Sequence, residues 1–265
     1  MTTTDPARGG DVPGRIRRVV LALDRLSPHD EGLARAVSLA AAERASLVVL
    51  LQSPPSGDRF ALLPMAQELC GITAALRSID PGRLQRTLAI QMDRMRTALR
   101  AAARAASVDV SFVERHGGLL DNALALAERL DAIVLGASAP RLPGGTQAAR
   151  ALPRRPVAIW LGGSADTGAV DLAASMARAA GSQLLVMSSR LDELARVRAS
   201  LAAAGSGQAL LPMAPVADPA AIVRIVNRDG ALALFVAAAR DDPGRQRELE
   251  FLRLHACCPL IVTGR

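Results

Sequence analysis

The apolar run from Val19 to Leu23 stops at a single carboxylate, Asp24, and the chain then turns directly into a helix start, "SPHDEG". A lone carboxylate at a strand end accepts hydrogen bonds. No acid pair has a spacing that suggests catalysis. The other reactive residue types are scattered: His29, His116 and His255 lie far apart, in turns or a terminal helix. Cys257 and Cys258 are adjacent, which is neither a disulfide framework nor metal-ligand spacing, and they are expected to pack beneath the last strand. No G-x-S-x-G nucleophile elbow is present. The expectation is a protein that binds, not an enzyme, and that holds no metal.

At 265 residues the chain has room for one large α/β domain or two small ones. Half of it is apolar, yet no run approaches the roughly 18 to 20 residues of a membrane span. Its start, "MTTTDPARGGDVPGR", is polar and rich in Pro and Gly, so residues 1–15 are expected to be a disordered tail. This start lacks the basic-then-apolar order of a signal peptide, which predicts a cytoplasmic location. The net charge of +7 is carried by arginine alone, with no lysine in the chain. These arginines are spread along helices with acids among them, as in "LQRTLAIQMDRMRTALRAAARAA", and aromatics are only 2%. Solvated helix faces explain that pattern better than a nucleic-acid groove, which needs clustered charge and stacking rings. An unidentified protein partner fits the Arg-rich helices, but no residue selects one.

The elements that position Asp24 follow from periodicity. "DEGLARAVSLAAAERA" places Leu33, Ala36, Val37, Ala40 and Ala41 on one helical stripe, with Ser27 or Asp30 available as a cap. The fully apolar "SLVVLLQS" follows, and strand–helix–strand with both strands apolar predicts a parallel sheet covered on both faces. The same plan returns at "VAIWLGGSADTGAVDLAASMARAAGSQLLVMSS". Asp24 then aligns with Gly162, and Leu47 with Leu184, with one gap between them, which is an internal repeat. The first copy continues with a long helix opening at Asp80-Pro81, whose stripe is Leu84, Leu88, Met92, Met95 and Leu99. After it come the strand "VDVSFVE", the helix "LLDNALALAERL" and the strand "DAIVLGA". The second copy runs through "LDELARVRASLAAAG", "QALLPM", "DPAAIVRIVNRDG", "ALALFVAA", "GRQRELEFLRLHA" and "PLIVTG". Val157–Leu161 could close the first copy or open the second. In a doubly wound sheet ordered 3-2-1-4-5 a central strand cannot be lost, whereas an edge strand can. The run is therefore assigned to the second copy, and the first is expected to have lost or to share its fifth strand.

"RRVVLALD", the Ala-rich helix, "LVVLL" and "DAIVLGAS" together resemble the universal stress protein family, as does the ending "LRLHACCPLIVTG". The resemblance covers nearly the whole chain after the tail, as a tandem of two units, 16–155 and a shortened 156–265. It implies two repeated doubly wound parallel α/β units of the adenine nucleotide alpha hydrolase-like kind. It also implies pairing of those units, as a pseudo-dimer within the chain or a homodimer, and in one branch binding of ATP, with Mg, or of AMP. In that branch a first-strand aspartate contacts the adenosine, the place Asp24 holds, and a G-x2-G-x9-G-[S/T] loop after the fourth strand wraps the phosphates. Here that loop reads "GASAPRLPGGTQAARALPRRP". Gly136 is in place, Ala139 stands at the second glycine, and Gly145-Thr146 comes too early for the final pair. Backbone amides of a Gly-rich turn cradle phosphate, while Pro140 and Pro143 remove donors and stiffen the path. Arg141 would compensate. The nucleotide-binding set implied is thus Asp24, Gly136, Ser138, Arg141, Gly144, Gly145 and Thr146.

The second unit departs further, with Gly162 in the aspartate's place and no glycine ladder after its fourth strand. Asp241 and Asp242 would repel phosphate, so this unit is expected to bind no nucleotide and to act as a pairing partner. "LGGSADT" resembles the SGG-x-DS loop of ATP pyrophosphatases, but Leu161 replaces its first Ser and Asp166 comes late. A receiver domain would need a lysine, and the chain has none. The function expected is a non-catalytic stress-response or regulatory binding protein. The alternatives are a nucleotide-free structural or protein-interaction scaffold and, behind it, an ATP-pyrophosphatase-type enzyme.

Overall fold

The run ending at Asp24 forms strand β1 (Arg18–Asp24), parallel to β2 (Ser46–Ser53), with Val19 beside Leu47 and Asp24 beside Gln52. Helix α1 (Asp30–Glu43) joins them and buries Ala36, Val37, Leu39 and Ala40 against the sheet. The computed structural model describes residues 16–24, 30–53, 67–69, 76–128, 131–136, 155–161, 167–203, 214–216, 218–237 and 242–263. A small antiparallel hairpin of β3 (Gln67–Leu69) and β4 (Leu76–Ser78) forms a separate sheet, a feature absent from the sequence expectations. Helix α2 (Pro81–Ala105) starts as the Asp80-Pro81 signal requires: the Asp80 carboxylate accepts from the Gly82 and Arg83 amides. Of its apolar stripe, Met92 and Leu99 are buried, while Leu84, Leu88 and Met95 are half-buried.

The first group of strands is completed by β5 (Val110–His116), helix α3 (Leu119–Leu126) and β6 (Asp131–Leu135). The remainder comprises β7 (Val157–Leu161), α4 (Thr167–Ala179), β8 (Leu184–Ser188), α5 (Leu191–Ala203) and β9 (Ala214–Pro215). It ends with α6 (Pro219–Arg228), β10 (Ala233–Ala237), α7 (Pro243–His255) and β11 (Leu260–Thr263). The expected strand "QALLPM" lies outside the described residues, and β9 follows it directly.

All of these strands except the hairpin join one nine-stranded sheet in the order β5-β2-β1-β6-β11-β10-β7-β8-β9. Every neighbouring pair is parallel except β6 with β11, which is antiparallel. The first four strands therefore run one way and the last five the other. Val157–Leu161 pairs with β10 and β8, as a central strand must. The place of a fifth strand beside β6 is taken by β11, antiparallel to it, in keeping with the expectation that the first copy has lost or shares that strand. Strands β6, β7, β8, β10 and β11 are buried along their whole length, which explains their unbroken apolar runs. Helices α1, α2, α4 and α5 cover one face, and α3, α6 and α7 the other.

Two polar clamps fix this frame. At the amino-terminal ends of β1 and β6, Arg18 donates from Nε and Nη2 to Asp131 Oδ2 at 3.1 and 2.6 Å. The Glu128 amide donates to the same oxygen at 2.6 Å. The Asp131 hydrogen bond raises the Arg18 guanidinium above its ordinary value, against the opposing effect of burial. The second clamp is Asn227, near the end of α6. Its Nδ2 donates to the His255 carbonyl at 3.0 Å, and its Oδ1 accepts from the Cys257 amide at 2.8 Å, which fixes the turn leading into β11. Asn227→Ala is expected to cost about 2 kcal/mol, two hydrogen bonds' worth. The measurement is the urea midpoint, which should fall with an unchanged m value.

Candidate functional site

From β1 the chain crosses to β2 on one side, and from β6 it leaves toward β7 on the other. The carboxyl ends of these adjacent parallel strands therefore form a topological switch point, the crevice where open α/β sheets take ligands. β1 delivers Asp24 to that edge as its last residue. Two backbones close in there. A Cβ placed on Gly32, in the first turn of α1, would stand 3.3 Å from the Gly136 Cα just past β6. Glycine at both positions lets the helix start and the strand end meet backbone to backbone.

Of the residues expected at this site, Asp24 and Gly136 are brought to the same end of adjacent strands. Ser138, Arg141, Gly144, Gly145 and Thr146 lie outside the described residues, as do His29 and the "LGGSADT" turn after Leu161. Further along the same edge, Gln52 donates to the Gly117 carbonyl, and Asn122 Nδ2 donates to the His116 carbonyl at 3.0 Å. Both bonds tie the end of β5 and the turn after it.

Three residues that sequence reasoning missed stand at the crevice: Glu31, Gly32 and Arg155. Gly32, in the first turn of α1, carries no sequence signal beyond being a poor helix former. Nothing marks Arg155 in a chain this rich in arginine. It precedes β7, and because the second group of strands runs in reverse, its amino-terminal end lies beside the carboxyl end of the first group. Arg155 Nε donates to the Gly230 carbonyl at 2.7 Å and Nη2 to the Ala231 carbonyl at 3.0 Å. From its other edge Nη1 and Nη2 each reach a Glu31 carboxylate oxygen at 3.2 Å. Its side chain is 34% exposed and that of Glu31 44%.

The equivalent switch point of the second group, between β7 and β10, is occupied differently. Arg245, 8% exposed, places its guanidinium 3.8 Å from the centre of the Trp160 ring. It also donates to the carbonyl of Ala237, the last residue of β10, at 3.1 Å, and pairs with Glu248 at 2.7 Å. Among the described residues no group of three or more His, Cys, Asp and Glu side chains could hold a metal ion. No described helix is long and apolar enough to cross a membrane.

No family model matches the chain, and no curated protein does. Solved structures do. A universal stress protein from Archaeoglobus fulgidus DSM 4304 superposes with a TM-score of 0.50 at 12% identity, over 93% of this chain and 96% of that one. The fold is that of the universal stress proteins. A putative universal stress protein from Pseudomonas aeruginosa UCBPP-PA14 aligns at 14% identity with a TM-score of 0.46, covering 95% of this chain and 94% of its own. A functionally unknown protein from Pseudomonas aeruginosa PAO1 aligns at 13% with a TM-score of 0.47, over 95% and 93% of the two chains. In this universal-stress-type fold the β1–β6 crevice lies between strands 1 and 4 of the first group, and β11 stands as the fifth strand for both groups.

Proposed function

We propose that the protein is a non-catalytic, cytoplasmic regulatory protein of the stress-response type that binds ATP or AMP, one per chain, at the β1–β6 crevice. The observation that carries the reading is the Gly32–Gly136 approach, which brings the amino-terminal turn of α1 against the end of β6 at the switch point, where a ligand's phosphates would meet backbone amides. Asp24 would accept from ribose hydroxyls or the adenine amine, and Gly136, Ser138, Arg141, Gly144, Gly145 and Thr146 would supply the phosphate side, with Mg when ATP is bound. The second group serves as the pairing half of a pseudo-dimer within the chain. Its own switch point is capped by Arg245 over Trp160, which favours a single ligand per chain. Ligand binding would stabilise one arrangement of the crevice and the surface around it, and so bias a protein partner.

Calorimetric titration with Mg-ATP and with AMP, repeated on Asp24→Ala, tests this. Binding near one site per chain is expected, with affinity lowered at least about tenfold in the variant by the lost charged hydrogen bonds. No heat and no thermal shift up to millimolar ligand, in protein verified free of nucleotide, would sink the reading in favour of a scaffold that binds proteins only.

A further inference from the structure

We propose that the Arg155 guanidinium is a phosphoryl-binding fork at the β1–β6 crevice, and that Glu31 occupies that fork until a polyphosphate displaces it. The inference rests on the nucleotide reading and adds to it a residue outside the resemblance, a self-occupied ground state and a preference for long phosphate chains. The rear edge of the guanidinium is fixed at 2.7 and 3.0 Å by the Gly230 and Ala231 carbonyls beyond the C-terminus of α6. Two backbone carbonyls accept from that edge, so the arginine is held whether or not its front edge is occupied.

The front edge presents two N–H groups side by side, and the Glu31 carboxylate takes both at 3.2 Å. A phosphoryl group offers the same pair of acceptor oxygens to the same fork. The front bonds are longer than the rear ones, and their acceptor is on the half-exposed residue, so the front partner is the one that exchanges. Glu31 is the neighbour of Gly32, which places the fork one residue from the backbone approach at Gly136. One turn further along α1, the buried Arg35 Nε makes no hydrogen bond among the described residues. The sequence from 137 to 155 contains Arg141, Arg150, Arg154 and Arg155 and no Asp or Glu. The fork already holds one carboxylate, so the anion that takes it over is one that brings more charge than a carboxylate, which favours a polyphosphate.

The test is calorimetric titration of the full chain and of Arg155→Gln, Glu31→Gln and the double variant, with Mg-ATP, AMP and magnesium tripolyphosphate as probes. Glu31→Gln frees the fork and is expected to bind Mg-ATP roughly tenfold tighter. Arg155→Gln should bind it roughly tenfold weaker, and the double variant should match Arg155→Gln. Tripolyphosphate should rank the four proteins in the same order, and AMP should separate them less. A double variant restored to the parent affinity would mean that Arg155 only neutralises Glu31, which overturns the fork. Equal ATP affinity in all four proteins overturns it too, while leaving nucleotide binding intact. No binding of ATP by either the parent or Glu31→Gln removes the inference together with the reading beneath it. Glu31 is partly exposed in the first turn of its helix, so its variant keeps the fold and reports even if Arg155→Gln does not.

Discussion

A chain ending at Ala256 is expected to lose the cooperative unfolding transition of the full-length protein. Strand β11 is only four residues long, but it lies in the middle of the sheet, with Leu260, Ile261 and Val262 at most 1% exposed. It is registered on both sides, Leu260 to Thr263 against Leu135 to Ala132 of β6 and against Leu234 to Ala237 of β10. Removing three buried aliphatic side chains forfeits about 1.5–3 kcal/mol each. Lost ladder bonds on two sides add about 1 kcal/mol apiece. The total is comparable with the 5–15 kcal/mol that holds an ordinary domain together, by the usual order-of-magnitude scale. Two fully buried strands would also gain open edges, which template association. Circular dichroism against urea, with size-exclusion chromatography, reads both effects. As a control, Ile261→Val should cost only about 1 kcal/mol. A truncated chain that remains monomeric and melts cooperatively within a few degrees of the parent would show that the strand is not a shared keystone.

The importance of β11 was half legible in the sequence. Unbroken apolar runs announced buried parallel strands, and the rule that a sheet keeps its central strand placed Val157–Leu161 correctly and left the first group short of an edge. The antiparallel β6–β11 seam itself carries no signal, because a strand buried on both faces reads the same whichever neighbour it takes. The β3–β4 hairpin escaped for a different reason: strands of three residues are too short to show a period of two. At the crevice, Asp24 was visible because a carboxylate ends an apolar run. Arg155 was not, since its partners Glu31, Gly230 and Ala231 lie 124, 75 and 76 residues away. What makes Arg155 special is the reversal of strand direction at the seam, a property of the assembled sheet and not of any local stretch.

The same geometry separates the two ends of the first group of strands, and Arg18→Met tests that separation. The expected cost is about 3 kcal/mol. Asp131 is 3% exposed, and the substitution removes the guanidinium that gives it two hydrogen bonds while leaving the carboxylate inside the protein. Most of the penalty is that stranded charge, not the lost attraction. Adding Asp131→Asn should therefore recover at least half of the loss, because the amide oxygen still accepts from the Glu128 N–H and no net charge remains. Arg18→Met within about 0.5 kcal/mol of the parent would class the pair with exposed ion pairs and overturn this account. The clamp sits at the amino-terminal ends of β1 and β6, and the crevice at their carboxyl ends. In any Arg18→Met protein that stays folded, ATP affinity is thus expected to be unchanged although the urea midpoint falls. Stability and ligand binding would then be shown to draw on opposite ends of the same two strands, which leaves the carboxyl end free to vary its loop without loosening the sheet.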